Sequence, residues 1–168
     1  MHPGIAKGDI VIIDKQGFGN GDRSPIPGDL VVFRNRNMHG SMWLKRLVGG
    51  PGDQIDLHAG VLRINGTAIS SADDRTCDEN YCRVREQIGR SSYIATYLQP
   101  ASLPSNEGTW LTGNSWFVLG DNRENSFDSR HFGPVATEDL RGRVVLVLDR
   151  AAVPAISHLI ASWLLIAP

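Results

Sequence analysis

Apolar positions along the chain fall into short runs separated by polar stretches rich in Gly and Pro, with no long helical repeat outside the C-terminus. The runs of strand length cover residues 9–14, 29–34, 41–48, 61–64, 116–119 and 144–148. Several of them are apolar throughout, as strands are when both faces are buried. The pattern predicts a mostly β protein with short strands.

One hairpin is specified by its turn. Asn65 and Gly66 separate the run at 61–64 from residues 67–69, and this residue pair favours the tight turns that join two antiparallel strands. The strand pattern weakens over residues 70–113, which include a stretch rich in Pro, Ser and Asn. We interpret 70–113 as a smaller β insertion on a β core.

The C-terminal stretch differs from the rest of the chain. Positions 156, 159, 160, 163, 164 and 167 fall on one face of a helix. The apolar part is shorter than the ~20 residues that a spanning helix needs. A short helix that is docked or interfacial and a truncated membrane segment both fit. We therefore divide the chain into a domain over 1–150 and an apolar C-terminal segment over 151–168, and we expect no N-terminal membrane span, since the first apolar run is short.

Composition and charge narrow the function classes. The chain has 168 residues, of which 41% are hydrophobic and 21% charged, as in a folded domain with its own core. Its 17 Lys and Arg residues against 18 Asp and Glu residues give a net charge of −1. Without a basic excess, a general nucleic-acid binder is excluded.

The cysteines and histidines bear on redox state and metals. Cys77 and Cys82 enclose four residues, and they fit a small disulfide loop in an oxidising compartment or two free thiols. A zinc site would need two further ligands with suitable spacing. The histidines stand singly in the sequence, at His2, His39, His58, His131 and His158. The sequence predicts no metal site.

Three segments combine glycines with polar side chains at the ends of apolar runs, at residues 1–9, 45–53 and 120–133. Together with Gly-Asp-Leu-Val-Val-Phe at 28–33, they resemble the boxes of the type I signal peptidases. These are membrane-anchored serine–lysine endopeptidases, whose boxes read S-M-x-P-T-L-x-x-G-D, G-D-x-V-V-F, K-R-x-x-G-x-P-G-D and G-D-N-R-x-x-S-x-D-S-R-x-x-G. The resemblance covers residues 1–148 in order and implies a β catalytic core with a β insertion, and neither cofactor nor metal.

The resemblance implies a role for each polar residue of these boxes. Lys45 would be the general base, and the Ser126 hydroxyl would orient its amine. The apolar neighbours of Lys45 allow burial, which would lower its pKa from about 10.4. On its strand alone, Lys45 also fits a surface lysine. The residues that would brace the loop around Ser126 are Asp121, Asn122, Arg123, Asp128 and Arg130.

The family binds its substrate as an added extended strand, between the segment near the nucleophile and the strand that leads to the lysine. The residues that this implies for substrate binding are Pro3, Ser41, Met42, Trp43 and Leu44. By pattern only, Ile10, Val48 and Ile64 are candidate pocket residues, and each fits the core better.

One departure from the family pattern concerns the nucleophile. Residues 1–3 align with M-x-P of the first box, so the family's serine would directly precede Met1, and it is not in this chain. The family's upstream membrane anchor is not in it either. Ser41 lies ~13 Å from Lys45 along one strand and cannot replace that serine. We expect the chain as written to be inert.

Two functions follow as alternatives. The first is a signal peptidase I that cleaves signal peptides from secreted preproteins at the extracytoplasmic face of the bacterial inner membrane. The second is a homologue without a nucleophile that binds peptides or a membrane surface. Within the first, Gly4-Ile5 and the run from Ser126 to Pro134 also resemble the conjugative-transfer peptidases, which process pilin precursors.

Overall fold

The computed structural model describes residues 1, 3–15, 24–70, 74–98 and 107–151. Over these residues the protein is mostly β, which confirms the predicted fold class. The predicted C-terminal helix lies outside the described residues.

The strands follow the predicted runs closely, and the structure adds several over 54–111 and one at 135–136. The strands are β1 (Ile10–Asp14), β2 (Leu30–Asn35), β3 (Ser41–Gly49), β4 (Gln54–His58), β5 (Val61–Ile64), β6 (Thr67–Ala68), β7 (Arg75–Cys77), β8 (Tyr81–Ile88), β9 (Ser91–Leu98), β10 (Gly108–Leu111), β11 (Ser115–Leu119), β12 (Val135–Ala136) and β13 (Leu140–Leu148). The helical elements are α1 (Ser129–Phe132) and two 3-10 turns, Arg36–Met38 and Thr137–Asp139.

The largest sheet has six antiparallel strands in the order β1-β13-β2-β3-β11-β12. β3 lies inside this sheet, and on one side β2 pairs with its residues from Ser41 to Arg46. On the other side, β11 pairs only with the C-terminal part of β3, at Arg46, Leu47 and Gly49. The other edge of Ser41–Lys45 therefore has no strand partner among the described residues.

Two smaller sheets pack on this one. β10-β4-β5-β6 form the first, and β7-β8-β9 form the second. Asn65 and Gly66 both have positive φ, at 51° and 79°, as the predicted tight turn requires. One buried cluster joins all three sheets through side chains such as Phe117, Ile55 and Ala95. The segment 70–113 thus contributes the sheet β7–β9, whereas its last strand, β10, pairs with β4.

A buried ionic cluster fastens the sheet β7–β9 to the loop after β11. Arg123 in that loop forms a two-point ion pair with Glu86 on β8, with Nη1 donating to Oε1 at 2.8 Å, and both side chains are fully buried. The Tyr97 hydroxyl donates to Glu86 at 2.6 Å. Arg123 also donates to the carbonyl of Gly120 at 3.1 Å. These bonds fix the start of the loop relative to the smaller sheet.

A disulfide closes the outer end of the same sheet. Cys77 on β7 lies opposite Cys82 on β8, and their sulfur atoms are 2.09 Å apart. The oxidising compartment suggested by the cysteine spacing stays a prediction.

The strand pair β1 and β13 departs from the expectation that apolar runs are buried on both faces. Ile10, Ile12, Val145 and Leu146 are each between 44% and 54% exposed. The reason is topological, because β1 is an edge strand and β13 pairs beyond Arg143 with β1 alone. We call these four residues the apolar ribbon. No helix among the described residues is long and apolar enough to span a membrane.

Removal of the buried carboxylate should destabilise the protein strongly. Glu86→Ala leaves Arg123 buried without its counter-charge, and breaking such a pair typically lowers the free energy of unfolding by about 3–5 kcal/mol. Arg85→Ala is the matched control, since Arg85 is the exposed neighbour on β8 and should change stability by about 0.5 kcal/mol or less. Urea unfolding of both variants measures the difference. Equal effects would contradict the assigned role of Glu86.

Candidate active site

Lys45 and Ser126 meet although 81 residues separate them in sequence. Lys45 lies on β3, and Ser126 lies in the loop that follows β11, the neighbour of β3. The ammonium Nζ donates a hydrogen bond to Ser126 Oγ at 2.9 Å. The pairing of β11 with β3 is therefore what brings the loop over the lysine.

Burial lowers the pKa of Lys45 below its ordinary value, because the site disfavours the charged amine. The negative charges of Asp128 and Asp121 oppose this effect, and the positive charge of Arg130 adds to it. Together, these effects lower the pKa of Lys45. The Trp43 ring, whose centroid is 5.5 Å from Nζ, covers one side of the amine. A lysine in this setting gives up its proton more readily than a surface lysine and can then serve as a base.

Gly120 makes room for the contact. A Cβ at this position would lie 2.2 Å from Ser126 Oγ and 3.5 Å from Lys45 Nζ. Any larger residue would push the serine hydroxyl away from the amine. The glycine that begins the G-D-N-R box is therefore required because a side chain there would fill the space that Lys45 and Ser126 occupy.

Asp128 and Arg130 form a buried pair under Ser126. The Arg130 guanidinium donates to the carboxylate through Nε at 2.8 Å and through Nη2 at 2.9 Å. The backbone N–H of Gly120 and the side chain of Ser126 also bond to this carboxylate. Burial alone would raise the pKa of Asp128, but these bonds and the charge of Arg130 outweigh it and lower the pKa. The pair is part of the site. Because it is buried, it differs from an exposed ion pair, which would contribute little to stability.

Asp121 holds the loop from the opposite face of β3. Its two carboxylate oxygens accept from Arg46 Nε and Nη2, each at 2.8 Å, and Arg46 Nη1 donates to the carbonyl of Gly28 at 2.8 Å. Lys45 and Arg46 are adjacent on one strand, so their side chains project to opposite faces. The loop contacts side chains on both faces of β3, through Ser126 on one face and Asp121 on the other.

The remaining residues implied to brace the loop act in different ways. Asn122 forms an isolated parallel bridge with Thr96 of β9, so its backbone ties the loop to the smaller sheet. Arg123 fastens the same stretch through Glu86.

An open cleft of about 540 Å³ lies at the N-terminal segment, where it is lined by Met1, Ile5, Ala6, Lys7 and Leu44. Burial lowers the pKa of the Met1 α-amino group, and the positive charge of Lys45 lowers it further. The backbone at Met1 therefore lies close to the lysine amine.

The five residues implied to bind substrate take different places around this cleft. Leu44 lines it, whereas Pro3 and Met42 are exposed at the surface. Trp43 packs edge-on against Phe127, and its indole N–H donates to Ser41 Oγ at 2.8 Å.

The three pocket candidates suggested by pattern alone also take different places in the structure. Val48 and Ile64 pack in the core, and Ile10 belongs to the apolar ribbon. No group of three or more metal-ligating side chains occurs in the part of the chain that the structure describes.

Comparison with known proteins places residues 1–148 in one family. Residues 1–148 match the family model described as signal peptidase, peptidase S26. The chain belongs to this signal peptidase family. The resemblance predicted from the boxes is thereby confirmed.

Curated relatives in the family carry signal peptidase names. The chain is 31% identical over 149 residues to a probable signal peptidase I-2 of Synechocystis, covering 85% of this chain and 56% of that protein. It is 30% identical over 147 residues to the signal peptidase IB of Staphylococcus aureus, covering 86% and 70% of the two chains. It is 25% identical over 204 residues to the signal peptidase I of Buchnera aphidicola, covering 88% and 66%. The chain thus spans between 56% and 70% of the length of these relatives.

A solved structure is also similar to this signal peptidase family member. The crystal structure of a signal peptidase I from Enterococcus faecalis V583 shares 25% identity, with a TM-score of 0.49. The match covers 73% of this chain and 98% of that one.

In this signal peptidase family member, residues on other strands hold the loop that carries Ser126, and the sequence patterns did not predict these contacts. No sequence pattern singled out Glu86 or Tyr97, both of which bind Arg123. Arg46 belongs to the box at 45–53, but Asp121 was not predicted as its partner. A usable signal existed for Glu86. Along β8 the buried positions are alternate ones, and Glu86 falls on the buried face between Val84 and Ile88. A carboxylate on the buried face of a strand needs a buried cation beside it, because an unpaired buried charge is strongly unfavourable.

Lys45→Met should stabilise the protein in a pH-dependent way. Since the folded-state pKa of Lys45 lies below its unfolded value, the unfolded chain binds more protons between these two pKa values. The cost of burying a charged amine is therefore fully present below the folded pKa and disappears as the pH rises toward 10.5. The stability gained by Lys45→Met should shrink over that range in urea unfolding from pH 7 to pH 10. A gain that does not change with pH would contradict the lowered pKa.

Gly120→Ala should disrupt the Lys45–Ser126 contact. The added methyl overlaps Ser126 Oγ, and overpacking of this kind typically lowers the free energy of unfolding by about 1–3 kcal/mol. The ¹³Cε resonance of Lys45 should move as its partner is displaced. Gly4→Ala is the control, because a Cβ there meets nothing closer than 3.8 Å. An unmoved lysine resonance in Gly120→Ala would contradict the assigned crowding.

Proposed function

We propose that this domain is the catalytic part of a signal peptidase that cleaves signal peptides from secreted preproteins, with Lys45 as general base. The observation that carries the proposal is the 2.9 Å contact between Lys45 and Ser126, formed by a partly buried lysine with a lowered pKa. A neutral amine held by a hydroxyl can remove a proton from a nucleophile. Membership of the signal peptidase family supports the same activity.

The nucleophile in this proposal is a serine joined directly to Met1. Two observations support that position. The charge of Lys45 acts on the Met1 α-amino group, so the next residue in the N-terminal direction would begin beside the lysine amine. The charge of Asp121 also acts on the Met1 amine, and this carboxylate lies 3.9 Å from the Cβ position of Gly4, so the N-terminal segment and the loop are neighbours.

The reaction then follows serine acyl transfer. Neutral Lys45 takes the proton of the serine hydroxyl as the oxygen attacks the carbonyl carbon of the scissile peptide bond. The protonated amine gives that proton to the leaving nitrogen, and an acyl-enzyme remains. Lys45 next takes a proton from water, whose oxygen attacks the ester carbon. The amine returns this proton to the serine oxygen as its bond to that carbon breaks, which releases the signal peptide and restores the neutral lysine. Ser126, held by Asp128, keeps the amine in place in both steps. These steps use no cofactor and no metal.

The substrate in this proposal binds as an extended strand along β3. Residues Ser41–Lys45 have a second edge without a strand partner in the described structure, and Leu44 on this stretch lines the open cleft with Met1 and Ile5. Backbone hydrogen bonds of an added strand would supply affinity, and the cleft would select small side chains.

The apolar ribbon supports a location at a membrane surface. Ile10, Ile12, Val145 and Leu146 form an exposed apolar face on the strand pair that carries the start of the chain. Such a face favours contact with lipid. We assign the domain to the extracytoplasmic side of the bacterial inner membrane, where preproteins emerge and where the disulfide is stable.

The proposal is tested by placing a serine directly before Met1. The chain is prepared with a short N-terminal extension that ends in Ser directly before Met1, and a matched form ends in Ala. The serine form should cleave a synthetic signal-peptide substrate after its small residue, and replacement by Ala should lower kcat by on the order of 10⁶. The rate should rise with pH through the lowered pKa of Lys45, since the neutral amine is the active form.

Lys45→Met in the serine form is the second control and should abolish cleavage without loss of folding. A serine form that binds the peptide but does not cut it would overturn the peptidase assignment and leave a peptide-binding domain.

A further inference from the structure

A cavity of about 220 Å³ lies beside the loop that carries Ser126. It is lined by Tyr81, Arg83, Thr96 and Asn122, each of which has a polar group at or near the end of its side chain. None of the groups described above as binding Lys45 lines it.

Strand register places three of these side chains on one face. Arg83 on β8 lies directly opposite Thr96 on β9, and Tyr81 is two positions earlier on β8. Cys82, which lies between them, and the next alternate residue, Val84, project to the buried face. The cavity is therefore on the outer face of the hairpin β8–β9.

Asn122 closes the cavity from the catalytic loop. The N–H of Thr96 donates to the carbonyl of Asp121 at 2.8 Å, and the N–H of Arg123 donates to the carbonyl of Thr96 at 2.9 Å. These two bonds hold Asn122 beside Thr96 as an isolated parallel bridge. The cavity wall is thus built into the contact between the loop and the smaller sheet.

The Thr96 hydroxyl is the feature that points to a ligand. Thr96 is 6% exposed, and its Oγ1 has no hydrogen-bond partner among the residues that the structure describes. A buried hydroxyl without a partner is destabilising, and such groups in native proteins call for an explanation. A ligand in the cavity that bonds to Oγ1 provides one.

The cavity lining selects an anion. All four side chains can donate hydrogen bonds, and Arg83 is the charged member. Arg83 uses one N–H toward Asp78, at 3.1 Å, which leaves further donors of its planar group. A carboxylate, with two acceptor oxygens, fits these donors.

The cavity lies close enough to Lys45 for a bound substrate to reach it. Asn122 follows Gly120 by two residues, and a Cβ placed at Gly120 would lie 3.5 Å from Lys45 Nζ. Two residues span at most about 7 Å, so Asn122 lies near the lysine. A peptide advancing ~3.3 Å per residue reaches the cavity within a few residues of the cut. Signal peptides are cationic, then apolar, then small near the cleavage site. A carboxylate this close to the cut therefore comes from the mature part of the preprotein.

We propose that Tyr81, Arg83, Thr96 and Asn122 form a subsite for an acidic side chain among the first residues of the mature polypeptide. This inference rests on the proposed function, because it needs the preprotein to lie across β3.

The test compares two synthetic peptides bound to the 168-residue chain. Both span the cleavage region of a signal peptide, and they carry either Glu or Gln at each of the second to fifth positions after the cut. Fluorescence anisotropy at low salt should show the acidic peptide binding about fivefold more tightly. Arg83→Gln and Thr96→Val should each reduce that preference.

Arg85→Gln is the matched control, because Arg85 is exposed on the same face of β8 and does not line the cavity. It should leave the preference unchanged. A general effect of positive charge would instead appear equally in Arg83→Gln and Arg85→Gln and would overturn the subsite.

The other outcomes separate this inference from the proposed function. Equal binding of both peptides would overturn the subsite and leave peptide binding by the cleft intact, whereas no binding of either would overturn both. A preference that survives Thr96→Val would overturn the role of the buried hydroxyl, and with it the cavity as assigned. If Arg83→Gln weakens binding only to vesicles containing phosphatidylglycerol, the anion is a lipid headgroup and the subsite for substrate is overturned.

Discussion

The Lys45–Ser126 contact depends on a loop that buried charges hold in place. Asp121 binds Arg46, Arg123 binds Glu86, and Asp128 binds Arg130 just below Ser126. Each pair is shielded from water, so the loss of either member would leave a buried charge without a partner. The loop therefore keeps one conformation, and its serine stays within hydrogen-bond distance of a lysine on another element.

The same pairs leave Lys45 as the cation that is free to change its charge. The pKa of Lys45 falls mainly through burial, while Asp128 and Asp121 limit the fall. Because both carboxylates are already engaged by arginines, they attract the ammonium less than unpaired carboxylates would. A buried amine without a full counter-charge is unfavourable for folding but suited to proton transfer at moderate pH.

Incomplete pairing of strands provides the surfaces around this site. β11 covers only the C-terminal part of β3, which leaves an edge beside Lys45 where an extended peptide can add. β1 lies at the sheet edge and leaves the apolar ribbon exposed. A closed sheet of the same sequence would bury both features, so the functions that we propose depend on where pairing stops.

The short strands, the turn at Asn65-Gly66 and the boxes that contain Lys45 and Ser126 can be predicted from the sequence, because periodicity, turn chemistry and motif spacing are local properties. Which charges meet across the chain follows instead from the way the strands are ordered in space. Glu86 is 37 residues from Arg123, and Arg46 is 75 residues from Asp121. Strand order sets such contacts, and no local pattern records it. Burial of the Thr96 hydroxyl beside Asn122 was decided in the same way, since it follows from the hairpin packing on the loop.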